Sequence, residues 1–366
     1  MSDQLLKGFA EQIQGAAEAK QLLRITGSGS KDWLGGELKG TPLSTKDYQG
    51  VVSYQPDELV ITVKSGTPIK EVESILAEKN QQFSFESPHF GANATIGGMV
   101  CAGLAGPGRV SAGNLRDFVL GAKIMDGQAQ IMNFGGTVMK NVAGYDVSRL
   151  MPGSLGTLAL LLDVSIKVLP KPAAGATVST QITQAAAIQL MNLLASQPWP
   201  LSASCWQGDG SGTLHLRLNG AKAAVESAIQ TFGQKYGMKV VDEEQAAIFW
   251  HALKEQKNTW FNDSIEAPLW RFAVAPTSAP LDLPGTTLLE WHGGQRWWKG
   301  QIDAERAKKI AFKADGHASI FRAGTKNQAM LSSLKDNPLT SPLAIVQDRL
   351  VKAFDPNGVF ATGRLA

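Results

Sequence analysis

Cysteine is scarce in this chain. Cys101 and Cys205 are the two present in 366 residues. Neither sits in a CxxC pair or beside clustered histidines, so a disulfide scaffold, a zinc site and an iron–sulfur cluster all lack ligands. Each reads as a reduced, buried small hydrophobe. A charge excess is missing too. Thirty-five Lys and Arg face 32 Asp and Glu, a net charge of +3, which is too small for a nucleic-acid or membrane footprint. Long apolar runs are absent as well. The most apolar, 155–169, is interrupted by Asp163 and Lys167 and is too short to span a bilayer. The first residues are polar, with Leu5, Phe9, Ile13 and Ala16 at helical spacing, which is not the pattern of a signal peptide. The expectation is a soluble, cytoplasmic protein of a reducing compartment.

Glycine, by contrast, is concentrated. Fourteen of the 38 glycines fall within 86–170. They punctuate short apolar and β-branched runs such as Thr95-Ile96, Phe118-Val119-Leu120 and 158–162. Glycine at strand mouths lets backbone approach a ligand and adopt positive φ without strain. A long ligand laid across backbone N–H groups and a glycine-rich β-core with tight turns both fit this pattern, and local sequence does not choose between them.

Earlier in the chain, the strand-like run 22–26 opens on Gly27-Ser28-Gly29-Ser30-Lys31. Consecutive small residues after a strand can aim several amides at a pyrophosphate, or can simply form a turn. The loop is not a Rossmann fingerprint, because Asp32 occupies the third glycine position. No Gly-Lys-Ser/Thr P-loop is present. Nicotinamide and nucleoside-triphosphate enzymes of the common kinds are therefore disfavoured. Two strands are expected at 51–54 and 59–63, and a helix starts at Pro68 with Ile69, Val72, Ile75 and Leu76 on its apolar face. The reading is α+β with short parallel units.

After Pro172 the composition shifts. Eight of the nine tryptophans lie beyond it and glycine thins out. Alternation at 214–218, helical periodicity at 221–236 and strand-like runs at 239–241, 270–274 and 287–291 suggest an antiparallel sheet backed by helices. The tryptophans read mainly as core and interface. The tail carries Asp355-Pro356-Asn357-Gly358, a turn signal. The expected organisation is a first domain over 1–172, a second over 173–312, and a C-terminal segment over 313–366.

The combination TIGGMVCAGLAGP, LRDFVLG and FGGTVMKNVAGYDVSRLMPGSLGTL, with the 26–30 loop and the 355–364 tail, resembles the vanillyl-alcohol-oxidase (PCMH-type) FAD-binding flavoprotein family. Within it the chain is similar to the FAD-binding subunits of bacterial glycolate oxidase complexes. The resemblance spans nearly the whole chain. It implies a PCMH-type FAD-binding domain of two α/β subdomains, a cap domain built on a helix-backed antiparallel sheet, and a C-terminal segment returning to the FAD domain. By resemblance, Thr26, Gly27, Ser28, Gly29 and Ser30 take the pyrophosphate. Pro88, Thr95, Gly97, Gly98, Ala102 and Gly103 line the phosphates and isoalloxazine, with Arg116 and Asp117 near the same wall. Gly153, Gly156 and Leu161 offer backbone near the ribose and adenine, and Gly363 and Arg364 reach back to the flavin. Glycines permit close approach and amides neutralise the pyrophosphate without a metal.

Several positions depart from the family pattern. Residues 27–31 hold no histidine, where many members tether FAD, so non-covalent FAD is expected. Ala361-Thr362-Gly363 stands for Asn-Pro-Gly, and Leu158-Ala159 for Leu-Gly. Family dehydrogenases acting on D-2-hydroxy acids carry a histidine-rich metal site. Here His89, His215, His251, His292 and His317 are scattered, and no metal site is expected.

Oxidising a 2-hydroxy acid needs a base for the hydroxyl proton, a cation for the carboxylate and a hydride acceptor. His317 is the candidate base and Arg322 the candidate clamp. Arg271 is a further clamp candidate, and His89 could approach the flavin. Two cysteines cannot hold an electron relay, so the resemblance implies an iron–sulfur partner subunit and a second FAD subunit. The alternative is a flavin-bearing electron-transfer or assembly subunit whose partner performs the chemistry. Glycolate or D-lactate preference, acceptor, stoichiometry and membrane association through the complex at the inner face of the cytoplasmic membrane are left open.

Overall fold

The computed structural model describes residues 2–136, 146–263, 265–324 and 341–364. The chain divides into two units. Unit 1 comprises Met1–Leu104, Asn114–Pro170 and Lys335–Ala366, and unit 2 comprises Ala105–Gly113 and Lys171–Leu334. The 137–145 part of the glycine-rich motif lies outside the described residues.

Unit 1 begins with helix α1 (Ser2–Glu18), which buries Phe9, Ile13 and Ala16 on one face. That face packs on Leu23, Leu43, Tyr48, Leu160, Leu162 and Phe360. Strands β1 (Leu23–Thr26) and β2 (Thr41–Ser44) pair in parallel. Strands β3 (Val51–Gln55) and β4 (Val60–Lys64) are antiparallel. The expectation of short parallel units therefore holds for β1 and β2 and fails for β3 and β4. The turn between Gln55 and Val60 is too short for the crossover that parallel neighbours require. Helix α2 (Ile69–Glu78) starts directly after Pro68, whose missing N–H costs nothing there. A short strand β5 (Gln81–Gln82) precedes helix α3 (Ile96–Ala102). Strands β6 (Val119–Met125), β7 (Ile131–Gly135) and β8 (Leu160–Lys167) complete a five-stranded sheet in the order β3-β4-β8-β6-β7. Strand β8, at its centre, is buried except at Asp163 and Lys167, which explains the apolar run there. Strand β9 (Leu169–Pro170) pairs with β5.

Unit 2 is built on an antiparallel eight-stranded sheet. Its strands are β10 (Ala174–Thr183), β11 (Leu201–Asp209), β12 (Ser211–Gly220), β13 (Lys239–Val240), β14 (Leu269–Ala273), β15 (Thr287–Glu290), β16 (Gln295–Lys299) and β17 (His317–Arg322). They run in the order β13-β10-β12-β11-β15-β16-β14-β17. Helices α4 (Gln184–Ala195), α5 (Lys222–Tyr236), α6 (Glu243–Lys254) and α7 (Ala304–Lys313) accompany it. Residues from α4 and α5 bury Trp206, Leu214, Leu216 and Leu218, and Ala307 and Ala311 of α7 bury Trp270, Phe272 and Trp298. Most of the tryptophans are core. Trp206 donates to the Ile182 carbonyl and Trp250 to Thr177 Oγ1.

Two expected boundaries are corrected. Strand β17 extends the sheet of unit 2 by pairing with β14, so of the segment placed at 313–366 this strand lies in unit 2, while 341–364 lies in unit 1. Residues Ala105–Gly113, read as part of the first domain, belong to unit 2. There Ser111 Oγ donates to the Ser202 carbonyl and the Trp291 indole donates to the Gly106 carbonyl. Both segments are recruited by long-range pairing, which local pattern does not reveal.

Candidate functional site

Unit 1 contains a cleft with an empty volume of about 620 Å³. Its floor is the loop after β1, and one wall is the start of α3. Thr95 is the N-cap of α3 and its Oγ1 accepts from the Gly98 amide at 3.2 Å. The Gly97 amide donates to the Ser65 carbonyl at 2.7 Å. Glycine is needed at two places. A Cβ on Gly27 would lie 2.3 Å from Thr95 Oγ1, and one on Gly97 would lie 2.8 Å from Ser65 Cβ. Larger residues would close the seam between loop and helix.

Two buried cations border the same cleft. Lys31 Nζ donates to the His89 carbonyl at 3.0 Å. Arg364 Nη2 donates to the Lys31 and Leu34 carbonyls at 3.2 and 2.6 Å, while its Nε is buried without a hydrogen-bond partner. Burial lowers the Arg364 pKa, and neighbouring Asp32 works against that. Asp32 in turn pairs with Arg24 at 3.1 Å. Burial pushes the Cys101 thiol up to about 11, so it is neutral at physiological pH.

The cleft brings together Thr26, Gly27, Ser28, Gly29, Ser30, Thr95, Gly97, Gly98, Ala102, Gly156, Leu161 and Arg364 of the expected cofactor residues. Six others stand outside its lining. Pro88 is buried beside His89. Gly103 is the left-handed C-cap of α3 and backs onto Gly153, whose nitrogen would lie 2.6 Å from an added Cβ. The Gly153 amide donates to the Val100 carbonyl. Arg116 and Asp117 are exposed on the short helix Leu115–Phe118, where Asp117 accepts from the Asn114 amide as a capping box. Gly363 turns the chain at φ +73° and so aims Arg364. Sequence reading passed over Lys31, Asp32, Thr45, Ser65, Cys101 and Leu155 as cleft residues. Lys31 carried a signal, since it closes the Gly-Ser-Gly-Ser run.

The chemistry-bearing residues of unit 2 are arranged differently. Partial burial first, and then the Arg271 charge, lower the pKa of His317, whose side chain is otherwise exposed at the start of β17. Arg322 lies at the other end of β17, opposite Leu269 across a register shift, with its guanidinium 5.6 Å from the Phe321 ring. The cation beside His317 is thus Arg271. Three other histidines have structural contacts. His89 Nε2 meets Glu73 Oε1 at 3.1 Å, His215 stacks on Phe249 at 4.2 Å, and His292 Nδ1 meets Ser204 Oγ at 2.9 Å. Among the described residues no cluster of His, Cys, Asp or Glu is placed to hold a metal, and no helix is long and apolar enough to cross a membrane.

Residues 9–148 match the FAD binding domain family. Over 360 residues the chain is 40% identical to glycolate oxidase subunit GlcE of Escherichia coli K12, covering 98% of this chain and 97% of that protein. The chain belongs to the GlcE family of glycolate oxidase subunits. It is also 30% identical over 133 residues to glycolate oxidase subunit GlcD of Bacillus subtilis, covering 36% of this chain and 28% of that protein. Alkyldihydroxyacetonephosphate synthase shares the fold with a TM-score of 0.63 at 13% identity, covering 96% of this chain and 74% of that one. This GlcE-family chain carries a PCMH-type FAD-binding domain, and its cofactor is FAD. The cleft fits that group: glycines open the seam at Gly27 and Gly97, and Lys31 and the unpaired Arg364 Nε offer positive charge to an anionic dinucleotide.

Proposed function

We propose that this chain is the flavin-bearing subunit of a multi-subunit oxidoreductase that converts a small 2-hydroxy acid, glycolate or D-lactate, to the 2-oxo acid. The observation that carries this reading is the glycine-walled, cationic cleft of unit 1 in a chain related over nearly its full length to a glycolate oxidase subunit. Bound FAD supplies a two-electron acceptor for the hydride leaving C2. The side chains supply the rest. In unit 1 Lys31 and Arg364 hold negative charge in the cleft; in unit 2 His317 is the candidate base for the hydroxyl proton. FAD is held without a covalent bond, since the loop after β1 offers no histidine. Two cysteines are too few to hold a cluster, so electrons then pass to an iron–sulfur partner; a second flavin subunit and a cytoplasmic location of the complex belong to the same proposal.

A second reading keeps the flavin and moves the chemical step to the partner. It is favoured by the engagement of His89, His215 and His292 in structural contacts. One experiment separates the two. The purified chain should be yellow and should release its flavin into acid. Anaerobic glycolate or D-lactate bleaches it if the chain itself is catalytic. A yellow protein that neither acid bleaches belongs to the second reading, and a colourless protein that stays empty when FAD is supplied sinks both.

A further inference from the structure

One face of the eight-stranded sheet is closed by α4, α5 and α7 over apolar side chains. The opposite face carries His317, Gln295 and Glu290 in a row interrupted by Ala273. Directly opposed residues of antiparallel strands share a face. His317 faces Ala273, Ala273 faces Gln295, and Gln295 faces Glu290, so one row crosses β17, β14, β16 and β15. Arg271, two residues before Ala273, lies on the same face.

The row is wired together. The buried Glu290 carboxylate accepts from Gln295 Nε2 at 3.1 Å and from the Trp297 indole at 2.6 Å. Gln295 Oε1 then accepts from Arg271 Nε at 2.9 Å. Glutamine is thereby fixed with its oxygen toward the arginine, and Arg271 is held by its inner nitrogen. Among the described residues its two terminal nitrogens, the fork a carboxylate engages, have no acceptor, and no carboxylate lies at salt-bridge distance.

A second cation is set close by. Arg271 lies over the Trp291 ring with its guanidinium carbon 5.4 Å from the centroid, and Arg109 lies over the same ring at 4.3 Å. Trp291 is itself anchored, its indole donating to the Gly106 carbonyl at 3.0 Å. Burial, then the charge of Arg109, bring the Arg271 pKa down to about 10, against the pull of Glu290. Two guanidiniums held beside one indole repel each other, and an anion between them removes that cost.

We infer that Arg271, with Arg109 and the Trp291 platform, forms a carboxylate-binding subsite on the sheet of unit 2, oriented by the Gln295–Glu290 relay and adjacent to His317. The inference rests on the 2-hydroxy-acid reading above and deepens it by naming the anchor of the acid group. Gln295 and Glu290 are positioning residues, since they act through Arg271. An arginine fork suits a planar carboxylate, and the neutral imidazole next to it suits a hydroxyl on the adjacent carbon.

The test uses the purified FAD-loaded chain and calorimetric titration with oxalate, a dicarboxylate with no hydrogen on carbon to transfer. Glycolamide, the uncharged counterpart of glycolate, serves as the neutral probe. Oxalate should bind the native chain and glycolamide at least tenfold more weakly. Arg271→Gln should weaken oxalate roughly 10- to 100-fold, the range for a hydrogen bond to a charged group, while flavin content and melting temperature stay unchanged. Arg271→Lys should restore part of the affinity, and Gln295→Leu should weaken oxalate without touching flavin content. The inference is overturned if glycolamide binds the native chain as well as oxalate does, a result that needs no variant. It is also overturned if a folded, yellow Arg271→Gln chain keeps native affinity. Failure of the broader reading looks different: a chain without flavin, whatever its affinity for oxalate.

Discussion

The two units carry their chemistry in opposite ways. In unit 1 the cleft is shaped by what is missing from side chains. Gly27 and Gly97 leave room that a single Cβ would fill, and the cations are Lys31 and Arg364. In unit 2 everything depends on large side chains. Indoles fill the helix-covered face or form a platform, and arginine, glutamine and glutamate form a relay on the other face. A backbone-walled site tolerates change at its surroundings and none at its glycines. A side-chain relay tolerates backbone variation and fails when one partner is lost.

The largest expected effect breaks unit 2. Trp206 is fully buried and donates to the Ile182 carbonyl at 3.1 Å. Trp206→Ala should cost about 3–5 kcal/mol, read by denaturant unfolding followed through tryptophan emission. If bound FAD is released in the same transition, the units unfold as one body and the contrast loses its energetic meaning. Next comes Gly27→Ala, whose Cβ must displace Thr95. Strain of about 1–3 kcal/mol should appear as weaker FAD retention by ultrafiltration, with the unit 2 transition unmoved. Native retention would show that the seam at Gly27 is not part of the cofactor site.

Acid should also separate the units. Burial holds the His215 and His292 imidazoles neutral, each with its pKa brought down to about 4 from 6.5, and both lie in unit 2. The unfolded chain binds these protons first, so their contribution to stability is full above about pH 6.5 and falls away as pH drops toward 4. Melting monitored by tryptophan emission should therefore decline over that window, and His292→Asn should flatten the decline. A pH-independent melting point would exclude these imidazoles as the cause. The smallest effect is Thr95→Ala. Removing the N-cap of α3 should cost about 1 kcal/mol, measured by thermal melting of the flavin-loaded chain.

Much of unit 1 could be read from the sequence because its signals are local. The periodicity of Phe9, Ile13 and Ala16, Pro68 before α2, and the loop after β1 each depend on residues within a few positions of one another. The Asp355-Pro356-Asn357-Gly358 turn is of the same kind: Asp355 accepts from the Val359 and Phe360 amides, and Gly358 turns at φ +69°. Other features were invisible for a physical reason. Lys31 looked like the end of a loop until burial against the His89 carbonyl made it part of a cleft. Arg116 and Asp117 sat in a strong motif, yet the fold uses them as an exposed helix start.

By itself the sequence determined the α+β class, helix α1, the start of α2 at Pro68 and the Asp355–Gly358 turn, since turn chemistry and apolar spacing act over short stretches; the flavin followed from the resemblance to a known family. Only the tertiary structure decided that β17 completes the sheet of unit 2, that Ala105–Gly113 joins it, and that Arg109, Arg271 and Trp291 meet. Strand pairing and charge clustering join residues far apart in the chain. Their free energy depends on which surfaces meet after folding, and no local pattern encodes that.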